Sequence, residues 1–157
     1  MKDKIKVPYF VEDPEIVQLI RSRDTDAGFD IKARVPIDLK PYKIEGISVG
    51  NVHYAIHTGL HVSIPKGYVG LIWPRSGLAL RYGADTLAGV VDSGYTGEVM
   101  VIMTTDEDIH FEAGDRIAQL LIQEVPDVEL VYMDSMEELE ATKASNRGAN
   151  GFGSTGV

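Results

Sequence analysis

Glycine and proline interrupt the middle of this chain at intervals short enough that strands, not long helices, are the expected elements. Pro36, Pro41, Pro65, Gly67, Pro74, Gly83, Gly94, Gly114 and Pro126 separate runs rich in β-branched and aromatic residues at 44–49, 52–64, 68–73, 89–92, 95–104 and 116–124. Proline removes a backbone donor and glycine admits turn conformations, so apolar runs of this length between such breaks predict strands. Their spacing is that of a sandwich or barrel, and all-β is the expected fold class. Helical signals are confined to two places. Asp13-Pro14-Glu15 sets a capping residue before Pro at the first helical position, ahead of Ile16, Leu19 and Ile20, and Ser135 with Glu138 makes a capping box.

A chain of 157 residues with 44% hydrophobic content can bury a core of its own, and with no internal repeat or composition break it reads as one domain over 1–157. The formal net charge of −9 argues against a nucleic-acid polymer as partner. The chain has no cysteine, so disulfides, thiol nucleophiles and thiolate zinc sites are excluded. Chemistry must rest on oxygen, nitrogen or a hard metal. No apolar run reaches membrane-spanning length and the first residues lack a leader's pattern, so the expectation is a soluble, cytoplasmic chain with no membrane partner.

Several segments carry chemistry beyond their structural reading. His53, His57 and His61 would align on a helix, but the alternation of Val52, Tyr54, Ile56, Thr58, Leu60, Val62 and Ile64 makes the run a strand with the histidines on its solvated face. In Gly89-Val90-Val91-Asp92-Ser93-Gly94-Tyr95, the Ser93-Gly94 pair predicts a tight hairpin with Asp92 and Tyr95 as cross-strand partners. Asp92 there either caps the turn or presents a free carboxylate beside a phenol ring. Pro74-Arg75-Ser76-Gly77 follows an apolar strand and opens a new segment, which makes either a plain surface loop or an oxyanion cradle at the start of a helical turn. The last residues, from Arg147 to Gly156, combine a cation, four glycines, hydroxyls and one aromatic ring, Phe152. They offer little to a core, so the arm is expected to be mobile, and its groups suit gripping a nucleotide.

Taken in order, these segments resemble the five motifs of the trimeric dUTP diphosphatase (dUTPase) family. Asp26-Ala27-Gly28-Phe29-Asp30 matches the first, Pro74-Arg75-Ser76-Gly77-Leu78-Ala79 the second, and Gly89 through Glu98 the third. Gly114-Asp115-Arg116-Ile117-Ala118-Gln119 matches the fourth, and Arg147-Gly148 with Gly151-Phe152-Gly153-Ser154-Thr155-Gly156 the fifth. The resemblance implies a distorted jelly-roll-like β-barrel subunit of a homotrimer, whose Gly-rich C-terminal arm, 147–157, closes over a neighbour's site. The implied reaction is hydrolysis of dUTP to dUMP and pyrophosphate, with Mg²⁺ bridging the triphosphate and water attacking the α-phosphorus. Asp92 would be the catalytic carboxylate. Tyr95 would pack on the deoxyribose, the backbone around Val90, Val91 and Met100 would read the uracil edge, and Arg75, Ser76, Gly77 and Gln119 would hold phosphates. Arg147 would act on the outer phosphates, Phe152 would stack on the base, Gly153 and Ser154 would bind substrate, and Asp30 would order water around the metal. If the chain is viral, the compartment implied is the host cytoplasm. Two rivals share the pattern in part: a dCTP deaminase-like member of the same fold, and a noncatalytic nucleotide-binding trimer. Thr86 stands where many bacterial members carry Asn, and the lead from Thr142 to Arg147 is longer than the family's usual Thr-x-Arg-Gly.

Overall fold

The computed structural model describes residues 4–50 and 52–142, and the chain divides into two compact units, Met1–Pro126 and Asp127–Val157. In the first unit the elements run β1 (Tyr9–Val11), β2 (Phe29–Lys32), β3 (Ile37–Leu39), β4 (Tyr42–Ile44), β5 (Ile47–Gly50), β6 (Tyr54–Ile56), β7 (Leu60–Val62) and β8 (Tyr68–Pro74). They continue as α1 (Ser76–Tyr82), β9 (Asp85–Leu87), β10 (Val90–Val91), β11 (Val101–Thr104), β12 (Ile109–Phe111) and β13 (Arg116–Glu124). All pairings are antiparallel, in the orders β10-β8-β13-β2, β6-β11-β9, β1-β7, β12-β3 and β4-β5. The all-β expectation holds.

β13 is central. Its apolar run is paired on one side with β8 and on the other with β2, and Ile117, Ala118 and Leu120 are fully buried. Ile31, Leu39, Ile56, Leu60, Val101 and Met103 complete the densest part of the core. The alternation read for 52–64 is real, since Ile56, Thr58, Leu60, Val62 and Ile64 are buried while His53 and His57 are exposed. The run is nonetheless two strands. Gly59 takes a left-handed φ of +61°, and the N–H groups of Thr58 and Gly59 turn to the Glu98 carboxylate at 3.0 and 2.8 Å, which breaks the ladder between β6 and β7.

Two further expectations are corrected. The helix expected from Asp13 stops after one turn, in which the N–H groups of Ile16 and Val17 both reach the Asp13 carbonyl. Beyond it the Ile20 carbonyl accepts from Asp30 N–H at 2.8 Å, so sheet pairing with β2 outcompetes helical continuation. The hairpin expected around Ser93-Gly94 is only a turn. Tyr95 N–H donates to the Asp92 carbonyl at 3.2 Å and Gly94 has φ +86°, the geometry of a type II turn and not of the primed turns that continue into a ladder. Val90 and Val91 pair instead with Leu71 and Gly70 of β8.

In the second unit, α2 (Met136–Ala141) starts as read: Ser135 Oγ accepts from Glu138 N–H at 3.2 Å.

Candidate active site

The end of β8 and the start of α1 build a cleft of about 710 Å³. Pro74 ends the strand, Arg75 is the helix N-cap in extended conformation, and no side chain caps the helix. Leu78 and Ala79 N–H groups both take the Arg75 carbonyl at 3.0 Å, which leaves the N–H groups of Ser76 and Gly77 without an intrahelical acceptor. Arg75 is held by its own contacts: Nη1 donates to the Arg116 carbonyl at 3.2 Å and Nε lies 3.5 Å from Asp30 Oδ1. Asp30 Oδ2 accepts from Ser22 Oγ at 2.9 Å and lies 3.7 Å from Arg116 Nη1, which itself donates to Ser22 Oγ.

Strand register brings these groups together. Gln119 on β13 is flanked by Asp30 on β2 and Trp73 on β8, and its Nε2 donates to the Pro74 carbonyl at 3.0 Å. Gly28 lets Gln119 lie against the backbone, because a Cβ there would stand 2.6 Å from Gln119 Oε1. The cleft gathers Arg23, Arg75, Arg81 and Arg116 against only Asp26 and Asp30 as carboxylates, so it is locally positive in a chain of net charge −9. Such a fork of guanidinium groups beside free N–H groups suits phosphate oxygens.

A second cavity, of about 230 Å³, gathers Val90, Val91, Asp92, Tyr95 and Met100, the set singled out from the third motif and just after it, with Ile72, Ala88, Glu98, Val99 and Ile102. Gly89 is required: a Cβ would sit 2.5 Å from the Ile72 carbonyl oxygen, and the Gly89 carbonyl accepts from Ile72 N–H at 2.7 Å. β10 is thereby pressed onto β8 as an edge strand, with backbone groups on its other side unpaired within the sheet. Tyr95 lies across Gly97, where any Cβ would meet the ring, and its hydroxyl donates to the Glu98 carbonyl at 2.9 Å. Burial alone would raise the Glu98 carboxyl, but donation from Gly59 N–H, His57 at 2.9 Å and Thr58 N–H holds it below the ordinary glutamate range.

Asp92 is exposed, and among the described residues its carboxylate has no hydrogen-bond partner. The capping alternative therefore fails. Aspartates that cap turns here do so visibly: Asp26 accepts from Arg23 N–H and Asp115 from Glu112 N–H. Asp92 uses only its carbonyl for the turn and leaves its carboxylate free beside Tyr95.

Sequence reasoning missed Arg116, Arg81 and Ser22 in the cleft. Arg81 is one turn of α1 from Gly77, whose carbonyl it meets at 3.1 Å, so helical spacing could have found it, whereas Arg116, although inside the fourth motif, joins Arg75 only through strand register. Thr86 lies outside the second cavity, its hydroxyl turned to the Ile72 carbonyl at 3.4 Å. The two cavities share no lining residue. Arg147, Phe152, Gly153 and Ser154 lie outside the described residues. Among the described residues no group of three or more His, Asp or Glu is placed to hold a metal ion, and the three histidines of 53–61 form no shared site.

A family model described as dUTPase matches residues 15–156. A deoxyuridine 5′-triphosphate nucleotidohydrolase of Paramecium bursaria Chlorella virus 1 is 41% identical over 143 residues, covering 88% of this chain and 89% of that protein. The structure of the Staphylococcus bacteriophage 80alpha dUTPase with dUpNHpp superposes with a TM-score of 0.81 at 26% identity, covering 98% of this chain and all of that one. A mutant dUTPase from phage phi11 of S. aureus, described with a structural Mg(II) ion, has a TM-score of 0.72 at 23% identity over 85% of this chain and 99% of that one.

Proposed function

The chain belongs to the dUTPase family, and from that membership we propose that it hydrolyses dUTP to dUMP and pyrophosphate, read as a single domain of that family. The observation that carries the reading is the sorting of its polar groups into two places: a free carboxylate, a phenol and an unpaired strand edge in the second cavity, and guanidinium groups with free N–H groups in the cleft. The first set suits a base, a sugar and an attacking water, the second a triphosphate.

Because those half-sites share no residue on one chain, we read the working enzyme as a homotrimer. One subunit's second cavity faces another's cleft, and the Gly-rich arm of a third supplies Arg147, Phe152, Gly153 and Ser154. In this reading Asp92 orients the water that attacks the α-phosphorus and accepts its proton, while a new P–O bond forms and pyrophosphate leaves. Arg75, Ser76, Gly77 and Gln119 hold the phosphates, Tyr95 packs on the deoxyribose, and the backbone around Val90, Val91 and Met100 reads the base. Mg²⁺ fits the donor set. A cation that keeps most of its water shell needs few direct carboxylates, and Asp30, whose oxygens already face Arg75, Arg116 and Ser22, suits holding such waters better than the ion itself. Bound to the triphosphate, Mg²⁺ would offset charge on the phosphate oxygens. Among the described residues no helix is long and apolar enough to cross a membrane, and a cytoplasmic setting, the host's if the chain is viral, suits the nucleotide substrate.

Pyrophosphate release from a panel of deoxynucleoside triphosphates, with and without Mg²⁺, tests the reading. Release from dUTP alone, dependent on Mg²⁺, is expected; ammonia release from dCTP, or no turnover of any member, would overturn it.

Gly77 gives a sharper check because stability and activity should move in opposite directions. A Cβ there meets only Arg81 Nη2, at an ordinary 3.6 Å, so the protein itself has room for alanine. Alanine is the better helix former by about 1 kcal/mol. Gly77→Ala is expected to melt no lower than the parent while kcat/KM for dUTP falls about tenfold or more, because the added methyl displaces the phosphates. Thermal melts and steady-state kinetics on one preparation read both.

A further inference from the structure

The loop that carries Asp92 and Tyr95 is tied down through Thr96 and Glu98, and the ties lead to a part of the chain the proposed chemistry does not use. His61 on β7 stands between two acceptors: Nδ1 is 3.0 Å from the Thr96 carbonyl oxygen and Nε2 is 3.2 Å from Glu12 Oε1. Neither partner can donate, and a neutral imidazole carries one N–H, so both contacts are hydrogen bonds only when the ring holds both protons. Glu12 is itself fixed, because its other oxygen pairs with Arg34, which also meets Asp13. The remaining titratable neighbours are Glu98, which is occupied by His57, and Tyr9 in the groove beside the ring. The Thr96 carbonyl, then Glu12, push the His61 pKa above the ordinary histidine value against the opposing effect of burial.

Thr96 follows Tyr95 directly. The segment 92–98 is held by the Glu98 backbone in an antiparallel bridge with His61, by the Glu98 carboxylate on Thr58 and Gly59, and by the Thr96 carbonyl on the His61 ring, and only the last of these depends on a proton. We propose that doubly protonated His61 is a positioning residue for the Tyr95 side of the cavity, holding the Thr96 carbonyl from behind and linking it through Glu12 and Arg34 to the chain after β1. The proposal rests on reading that cavity as the base-and-sugar site of dUTP. It gives the stretch after β1 a role in substrate affinity: when the ring loses its second proton the remaining N–H stays on Nε2 toward the charged Glu12 oxygen, the stronger acceptor, so the Thr96 tie is the one lost, Tyr95 is held less firmly, and KM rises while the Asp92 carboxylate stays available.

The test compares the parent with His61→Gln, whose amide can reach Glu12 but not Thr96, and His61→Asn, whose shorter amide can reach Thr96. KM and kcat for dUTP are measured from about pH 6 to about pH 9, across the histidine range. At the acid end His61→Gln is expected to raise KM about threefold to tenfold, the span of one net hydrogen bond, with kcat changed by less than about twofold. His61→Asn should keep the parent's KM there. Only the parent should show KM climbing as pH rises through the His61 titration; titration of the nucleotide phosphates is common to all three and cancels. A His61→Gln protein with the parent's KM and pH profile overturns the proposal.

Tyr95 ring signals followed by NMR in the substrate-free parent decide the same point without turnover or substitution. They should shift along the His61 titration curve, and ring signals blind to it overturn the proposal. Absence of pyrophosphate release by the parent would instead sink the enzymatic reading, so the two failures are told apart.

Discussion

Asp92→Asn is expected to release pyrophosphate from dUTP at least about 100-fold more slowly than the parent chain, while binding a non-hydrolysable dUTP analogue nearly as tightly. The expectation comes from what Asp92 does not do. Its carbonyl closes the turn by accepting from Tyr95 N–H, and its carboxylate has no partner among the described residues. Asparagine keeps the size, the turn and the polarity, so the melting temperature should not move; it loses only the ability to take a proton at neutral pH. General bases contribute roughly 10²- to 10⁴-fold, which sets the scale. Single-turnover kinetics together with calorimetric titration of the analogue separate chemistry from binding. Turnover close to the parent's would remove Asp92 from the reaction, and equal losses in turnover and affinity would make it a binding residue.

The same distinction between local and distant partners explains which features could be read in advance. β8 and β13 were legible because their apolar runs are long, and β13 is buried against strands on both sides. β1, β2, β3, β9 and β12 were not, since three or four residues carry no usable period and their partners lie far along the chain. The one-turn stop after Asp13 had the same origin: a cap and a proline are local signals, and Asp30 is ten residues beyond the carbonyl that it captures. At the site, Asp92, Tyr95, Val90, Val91 and Met100 could be grouped because they are near neighbours in sequence. Arg116 could not be joined to Arg75 without the register that sets β2, β13 and β8 side by side. His61 shows the limit most clearly. Alternation correctly put it opposite the core, but its partners Thr96 and Glu12 are 35 and 49 residues away, so a histidine on a solvated face and a tether of the loop that carries Asp92 and Tyr95 look identical in sequence.

Discrimination against dCTP should be the larger of the two effects, with kcat/KM about 10⁴-fold below that for dUTP. The second cavity is walled by Ile72, Val91, Val99, Met100 and Ile102, and apolar walls of this kind distinguish poorly between two pyrimidines of nearly equal size. In the proposed reading the polar groups that tell them apart are on the backbone of β10, at the free edge of its sheet. Uracil presents a ring N–H and a carbonyl where cytosine presents a bare ring nitrogen and an amino group, so every donor meets a donor and every acceptor an acceptor when the bases are exchanged. A backbone group left unpaired in a desolvated pocket costs about 1–3 kcal/mol, and the two mismatches, at the ring nitrogen and at the 4-position, amount to roughly four decades at the upper end of that range and about 1.4 kcal/mol per decade. Because the readout is by main chain, side-chain substitution at Val90, which is 64% exposed, should leave the ratio nearly intact. Paired kcat/KM measurements on dUTP and dCTP, for the parent and for Val90→Ala, check both parts. A ratio under about 100 would mean that side-chain fit alone selects the base, since an apolar pocket reaches no further than that.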